Sequence, residues 1–472
     1  MKYFDVIVIG SGAGMNIVER ALSQGLRVAL VDKGPLSGTC LNLGCIPSKM
    51  LITPADTIAA IQDSRKLGLE VEIKKVDFQL IFDRMRNFIR NQQEEIRQSL
   101  RNIRNLEYFE AQTRFIRDLT LEVNGQAITA KKIFIMAGSR PLIPPIKGIH
   151  EIEYLTSETL LKLTHKPESV LIVGVGNIGV EYGHMLAALG SKVTIIEMAD
   201  RLVEGEEPEI AELLKKKMEQ RMEVLLNVQV IELGKHNSGY SARIRNSETG
   251  VEWEIFSEAV MLAAGRKSNA DLLGLDNSGV EVDKRGFIRV DDYLETTRKN
   301  IYAAGDIIGR YMLTHVANRE AVQVWHNATH GPPEVMDYNA VPHAVFTHPQ
   351  IASVGLTAAE ARKHHHVLIG VARYSEVAKG IAMMEEDGFA KAIVDKDTES
   401  ILGFHIIGPE ASTLIQEVTN AMATRGGVEV LNMGMHIHPA MPELISSTLY
   451  NLKEPEAVEL KTKSAGATVL PA

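Results

Sequence analysis

The chain has 472 residues, 45% of them hydrophobic and 24% charged, with a net charge of −9. That length exceeds one core and calls for about two to four domains of ordinary globular composition. No Lys/Arg run stands out and no apolar run reaches the length of a membrane span, which argues against a nucleic-acid or membrane partner.

Met1-Lys2 leads almost directly into the strand-like Phe4-Asp5-Val6-Ile7-Val8-Ile9, leaving no room for a signal peptide. Two cysteines are too few for a secreted disulfide framework. In a reducing compartment such a pair is expected to be catalytic or redox-sensing, so the chain reads as cytoplasmic.

Phe4 to Asp32 reads as strand, glycine-rich turn, helix over about 15–24 and second strand. Gly10, Gly12 and Gly14 let the backbone approach a pyrophosphate, which the N–H groups of the helix start then bind. Asp32 falls where a carboxylate would take ribose hydroxyls. The third glycine of G-x-G-x-x-G is replaced by Met15, which predicts altered packing of helix on strand.

Next comes Ser37-Gly38-Thr39-Cys40-Leu41-Asn42-Leu43-Gly44-Cys45-Ile46-Pro47-Ser48-Lys49, which holds both cysteines. In an undistorted helix residues five apart have Cα atoms about 8–9 Å apart, beyond the roughly 4.4–6.8 Å of a disulfide. A bridge here requires tightened backbone, which Gly44 eases. By itself the pair could equally be two buried core thiols.

Phe78 to Ile103 carries apolar residues at three- and four-residue steps, a helix packing one face. Residues 106–140 look like short strands with an Asn124-Gly125 hairpin signal, and Pro141 to Pro145 reads as a linker. The dinucleotide unit then returns at Val170 to Glu197 with a complete Gly174-x-Gly176-x-x-Gly179. Glu197 favours a free ribose 2′-OH and repels a 2′-phosphate, so NAD(H) is expected over NADP(H), with Arg201 solvated. Residues 259–266, ending in Gly265-Arg266, repeat the apolar strand and glycine ending of 133–140, suggesting two homologous domains, one interrupted by the other.

The strand-like Ile301 to Ala304 runs into Gly305-Asp306, a carboxylate where α/β folds bind ligands. Met312-Leu313-Thr314-His315 opens a helix whose dipole favours negative charge on a ligand. From about 341 the pattern turns antiparallel, with a hairpin of 390–394 and 401–406 and helices near 411–423 and 441–452. His364-His365-His366 reads as a solvated loop rather than a metal site, and the chain after about 454 as a polar tail.

In this order the elements resemble the flavin-dependent pyridine nucleotide–disulfide oxidoreductases, the group containing dihydrolipoamide, glutathione and mycothione reductases. The resemblance rests on Gly10-Ser11-Gly12, Gly38-Thr39-Cys40 through Lys49, Gly174 through Glu181, Thr297 through Asp306 and His438-Pro439-Ala440-Met441-Pro442-Glu443. It implies an α/β fold of two Rossmann-like dinucleotide-binding domains, one inserted in the other, plus an α+β C-terminal dimerisation domain. The FAD domain would span 1–148 and 271–340, the NAD domain 149–270, the interface domain 341–455 and a tail 456–472.

The resemblance further implies FAD against Gly10, Gly12, Gly14, Asp32 and Lys33, then Gly38, Thr39, Lys49 and Gly138, and finally Gly305, Asp306, Met312, Leu313 and Thr314. NAD would meet Gly174, Gly176, Ile178, Gly179, Glu197 and Gly265. Cys45 would be the flavin-proximal thiol, Cys40 the interchange thiol, and Lys49 would pair with Glu181 near the flavin. His438, oriented by Glu443, would be the acid/base supplied across a homodimer. The implied reaction is dihydrolipoamide plus NAD⁺ to lipoamide plus NADH, with lipoamide or a lipoyl domain as partner. Reduction of another small disulfide, such as mycothione or glutathione, is the alternative. Mercuric reductase and the larger thioredoxin reductases are disfavoured, because no further cysteines exist to deliver substrate. The departures Ser37, Ala137 and the proline-containing, mycothione-reductase-like histidine motif put the substrate in question, not the class.

Overall fold

The structure, a computed structural model, describes residues 1–455, so the expected tail at 456–472 lies outside the described residues. The chain packs into two compact units. One comprises 1–62, 71–200 and 221–338; the other comprises 63–70, 201–220 and the chain from 339.

In the first unit, strand Lys2–Ile9 lies parallel between Val28–Asp32 and Gln126–Ile135, with Leu106–Glu110 beyond Val28–Asp32. Val6, Ile7, Val8 and Ile9 are all buried, as continuous apolar strands covered on both faces must be. A second parallel sheet sets Ser169–Val173 between Lys192–Ile196 and Ala259–Leu262, with Glu223–Leu225 at its edge. Strand Ile301–Ala303 then rejoins the first sheet alongside Ile133-Phe134-Ile135. One nucleotide fold is thus inserted in the other. The run from Pro141 expected as a linker begins inside a short ribbon, Ser139–Pro141 antiparallel to Arg266–Ser268.

Helix Phe78–Leu100 starts where the Asp77 side chain accepts the Leu80 N–H at 3.0 Å, and it buries Phe82 and Met85. The predicted hairpin forms, with Asn124 and Gly125 at φ 49° and 72°, the left-handed pair a two-residue turn needs. Helix Cys45–Asp63 contains Pro54, whose missing N–H deprives the Met50 carbonyl of its partner; the Arg84 guanidinium donates to that oxygen instead, at 3.0 Å.

The second unit is a five-stranded antiparallel sheet ordered Pro342–Val345, Gln350–Gly355, Ile401–Gly408, Phe389–Asp395, Val367–Arg373. Helices Ala411–Ala423 and Glu443–Tyr450 pack with it around Phe404, Ile406 and Val418. Segment 201–220 joins this unit through buried charge. Glu206 accepts from His343 and from Ser353, both at 2.6 Å, and Glu207 pairs with Lys391 at 2.6 Å. Burial alone would raise both carboxyls, yet His343 and Lys391 respectively hold them below the usual range. Lys391 is only 6% exposed in its side chain. Lys391→Ala leaves the Glu207 charge buried with little compensation and should cost about 3–5 kcal/mol. In Lys391→Met/Glu207→Leu most of that loss should return, as read by chemical denaturation.

Candidate active site

The two nucleotide turns are built alike. A Cβ on Gly10 would stand 2.3 Å from the Met136 carbonyl oxygen, and one on Gly174 2.4 Å from that of Ala263, so only glycine fits either turn. Gly179 packs against the Gly174 carbonyl, where a Cβ would come within 2.0 Å. In the first unit Gly14 makes that contact, 2.1 Å from the Gly10 oxygen and 2.8 Å from Val8 Cγ1. The close packing expected to change at Met15 is therefore supplied one residue earlier, and Met15 packs on the core instead.

Each terminal acid closes on its own turn. Asp32 accepts the Ser11 N–H at 2.6 Å and Glu197 accepts the Val175 N–H at 3.1 Å, in both cases from the residue between the first two glycines. Ser11 was not singled out from the sequence, yet its hydroxyl donates to Asp32 and accepts the Ser37 N–H at 2.8 Å. That second bond ties the glycine turn to the cysteine stretch. Ser37 is held at φ 72°, a conformation costing an L-residue about 1–2 kcal/mol. Lys33 beside Asp32 is exposed.

The cysteines lie on either side of a helix break. Cys40 is in helix Gly38–Asn42 and Cys45 begins helix Cys45–Asp63. Gly44 lets the chain fold back: a Cβ there would lie 3.1 Å from the Thr39 carbonyl oxygen and 3.5 Å from Cys40 Cα. The two thiols are free. Their mutual interaction splits them: it lowers Cys45 to about 6, aided by the Thr314 hydroxyl and the Lys49 charge, and it raises Cys40 well above an ordinary thiol. Thr314 Oγ1 stands 3.5 Å from Cys45 Sγ and opens helix Thr314–Thr329, whose N-terminus favours negative charge. Lys49 Nζ lies 2.7 Å from Glu181 Oε2, and that carboxylate is 9% exposed.

Asp306 accepts the Ser139 hydroxyl at 2.6 Å, and Ser139 accepts Arg266 Nε at 2.7 Å. Its neighbour Gly305 donates its N–H at 2.6 Å to Glu320, a fully buried carboxylate that the sequence did not flag and whose burial raises its pKa. Met312 and Leu313 precede Thr314 at the helix start, and Gly138 and Gly265 take positive φ at the two strand ends. Ile178 and Gly176 lie in and before the first turn of helix Asn177–Ala188.

In the second unit His438 Nδ1 lies 2.8 Å from Glu443 Oε1, while Glu443 Oε2 accepts the Ala440 N–H at 3.1 Å. The His438 bond first and the Ala440 bond second hold the Glu443 carboxyl low. With Nδ1–H donating to Glu443, the neutral ring keeps its acceptor lone pair on Nε2. His365 and His366 bond Asp395 and Asp397 respectively, and among the described residues no group of three His, Cys, Asp or Glu could hold a metal.

Because Cys45 is lowered, its thiolate should persist above about pH 6 and be lost below it. Alkylation of the reduced enzyme at Cys45 should therefore show a midpoint near that value, against about 8.5 for a free cysteine. Thr314→Ala removes one hydrogen bond to the anion and should raise that midpoint by about half a unit to one unit.

Residues 4–321 match the family described as pyridine nucleotide-disulphide oxidoreductase, and residues 341–448 match its dimerisation domain. Mycothione reductase of Mycobacterium tuberculosis is 34% identical across 96% of this chain and 100% of its own. Mercuric reductase of Lysinibacillus sphaericus is 32% identical across 92% and 80%, and dihydrolipoyl dehydrogenase of Chlamydia pneumoniae is 32% identical across 93% and 95%. The solved HOCl-induced flavoprotein disulfide reductase RclA from Escherichia coli superposes with a TM-score of 0.84 at 28% identity, covering 94% of this chain and 99% of that one. No helix among the described residues is long and apolar enough to cross a membrane. With two glycine turns in its first unit, a split thiol pair, and family matches running from residue 4 to 448, the chain belongs to the pyridine nucleotide–disulphide oxidoreductases, FAD-dependent enzymes that use a pyridine nucleotide.

Proposed function

We propose that the protein oxidises dihydrolipoamide with NAD⁺, giving lipoamide, NADH and a proton. The observation that carries this reading is the placement of the thiol pair: Cys45 begins its helix with the Thr314 hydroxyl 3.5 Å from its sulfur and Lys49 one turn on, an arrangement that favours its thiolate over that of Cys40. In disulfide exchange the sulfur of lower pKa leaves faster. A substrate thiolate attacking Cys40 Sγ breaks the Cys40–Cys45 bond and expels Cys45 as the stabilised thiolate. The second substrate sulfur then attacks the mixed disulfide at its substrate sulfur, closing lipoamide and releasing Cys40, which takes a proton. His438 Nε2 removes the substrate thiol's proton, with Glu443 fixing the tautomer. Bound FAD supplies the two-electron relay between the dithiol and the nicotinamide. The glycine cradles and the ribose-directed acids suit two dinucleotides.

Glu197 supports NAD(H), since a 2′-phosphate would meet its carboxylate. Arg201, which could have compensated, donates to the Glu204 carbonyl at 2.9 Å. A homodimer that brings His438 to the partner's cysteines is part of this reading. In its support, Met433, Met435 and Ile437, on the approach to His438, are 77%, 101% and 76% exposed. The domain edges at 148/149, 270/271 and 340/341 and a cytoplasmic location complete the proposal.

A second reading, reduction of a mycothione-like disulfide, is favoured by His438-Pro439-Ala440-Met441-Pro442-Glu443 and by the 34% identity to mycothione reductase. Steady-state assays of the purified yellow enzyme separate the two. Dihydrolipoamide with NAD⁺ should turn over, and kcat/KM for NADH should exceed that for NADPH at least about tenfold. Turnover confined to mycothione or glutathione disulfide would sink the dehydrogenase reading and leave the disulfide reductase.

A further inference from the structure

The Lys49–Glu181 bridge has a companion. On helix Asn177–Ala188, one turn beyond Glu181, stands His184, 2% exposed, with Nε2 2.9 Å from Asp56 Oδ1. Asp56 lies on helix Cys45–Asp63, two turns beyond Lys49 and on the same face. The helix that starts with Cys45 is thus tied to the helix of the second nucleotide turn by two polar rungs. Their polarity alternates, with Lys49 meeting Glu181 and Asp56 meeting His184. A slip along the helix axis would part both pairs.

Pro54 gives the second rung its importance. It interrupts the hydrogen-bond ladder between Lys49 and Asp56, so the backbone alone holds the turn bearing Cys45 and Lys49 less firmly to the rest of the helix. A rung on each side of the proline fixes both halves against the same neighbour. A buried imidazole without its acceptor would also lose a hydrogen bond that burial makes costly.

We infer that Asp56 and His184 are positioning residues that hold Lys49 beside Cys45, so that the lysine charge stays on the thiolate of the redox pair. The inference rests on the reading of Cys40 and Cys45 as that pair. Lys49 sits one turn after Cys45, and its positive charge favours the thiolate. The neighbouring Cys40 thiol and the buried Tyr182 phenol supply no positive charge there.

The test is alkylation of the dithiol-reduced holoenzyme with iodoacetamide over about pH 4–9, read at Cys45 by peptide mass spectrometry. Asp56→Ala and His184→Ala should each raise the Cys45 midpoint by about half a unit or more, leaving about twofold less thiolate at the wild-type midpoint. His184→Gln keeps an N–H donor for Asp56 and should stay with the wild type. Lys49→Met, the reference, should move at least as far as the alanine variants. If those variants lose flavin or fold, His184→Met fills the same space without the donor and should show the same rise. Unmoved midpoints in folded, flavin-bearing Asp56 and His184 variants would overturn the inference, as would an equal shift in His184→Gln. The readout uses neither substrate nor nucleotide, so missing dihydrolipoamide turnover does not touch it. An ordinary thiol midpoint in the wild type would overturn both the inference and the reading of Cys45 beneath it.

Discussion

The close approach of two thiols organises this protein. Each cysteine acts on the other's ionisation, favouring the thiolate at Cys45 and the thiol at Cys40. Neither property can exist in a straight helix, where the two sulfurs would be too far apart. The break at Leu43-Gly44 that brings them together rests on a missing side chain facing Thr39 and Cys40. Its outer edge is held by Asn42, whose amide donates to the Leu36 and Gly38 carbonyls at 2.8 and 2.7 Å. Thr314 and Lys49 then add to an asymmetry that the local fold has already created.

The nucleotide turns obey a related economy. Asp32 accepts from Ser11 and Gly34, and Glu197 from Val175, Met198 and Ala199, so backbone donors on both sides fix each carboxylate in place. A carboxylate has about four acceptor sites, so each acid keeps capacity for a further hydroxyl.

Much of this was legible in the sequence. Both strand–turn–helix–strand units fall where the glycines and terminal acids put them, the Asn124-Gly125 hairpin forms, and the helix expected from Phe78 ends at Leu100, close to its predicted limit. What was not legible depends on approach distances and on partners far along the chain. Spacing assigned the close-packing role to position 15, but the first turn enters its helix differently and Gly14 meets the Gly10 carbonyl. Glu206 and Glu207 look like solvated charges in an acidic stretch. Their partners His343, Ser353 and Lys391 stand more than a hundred residues away, so no local pattern could mark them as buried. Ser11 was hidden for another reason: a small hydroxyl carries no periodic signal, and only the neighbours it bridges reveal it.

The histidine motif shows which departures matter. Pro442 lacks an N–H, but it stands just before helix Glu443–Tyr450, where an N–H would have no helical partner in any case. Glu443 opens that helix, its negative charge favoured by the dipole, and it reaches His438 with one oxygen and the Ala440 N–H with the other. Both bonds that fix the imidazole use groups this motif retains, and the Ala440 contact is to backbone, indifferent to the side chain there. Ala440 and Pro442 therefore leave the His438–Glu443 pair intact while offering no side-chain hydrogen bonds of their own beside it. The variation of the motif falls around the pair and not on the bonds that hold it.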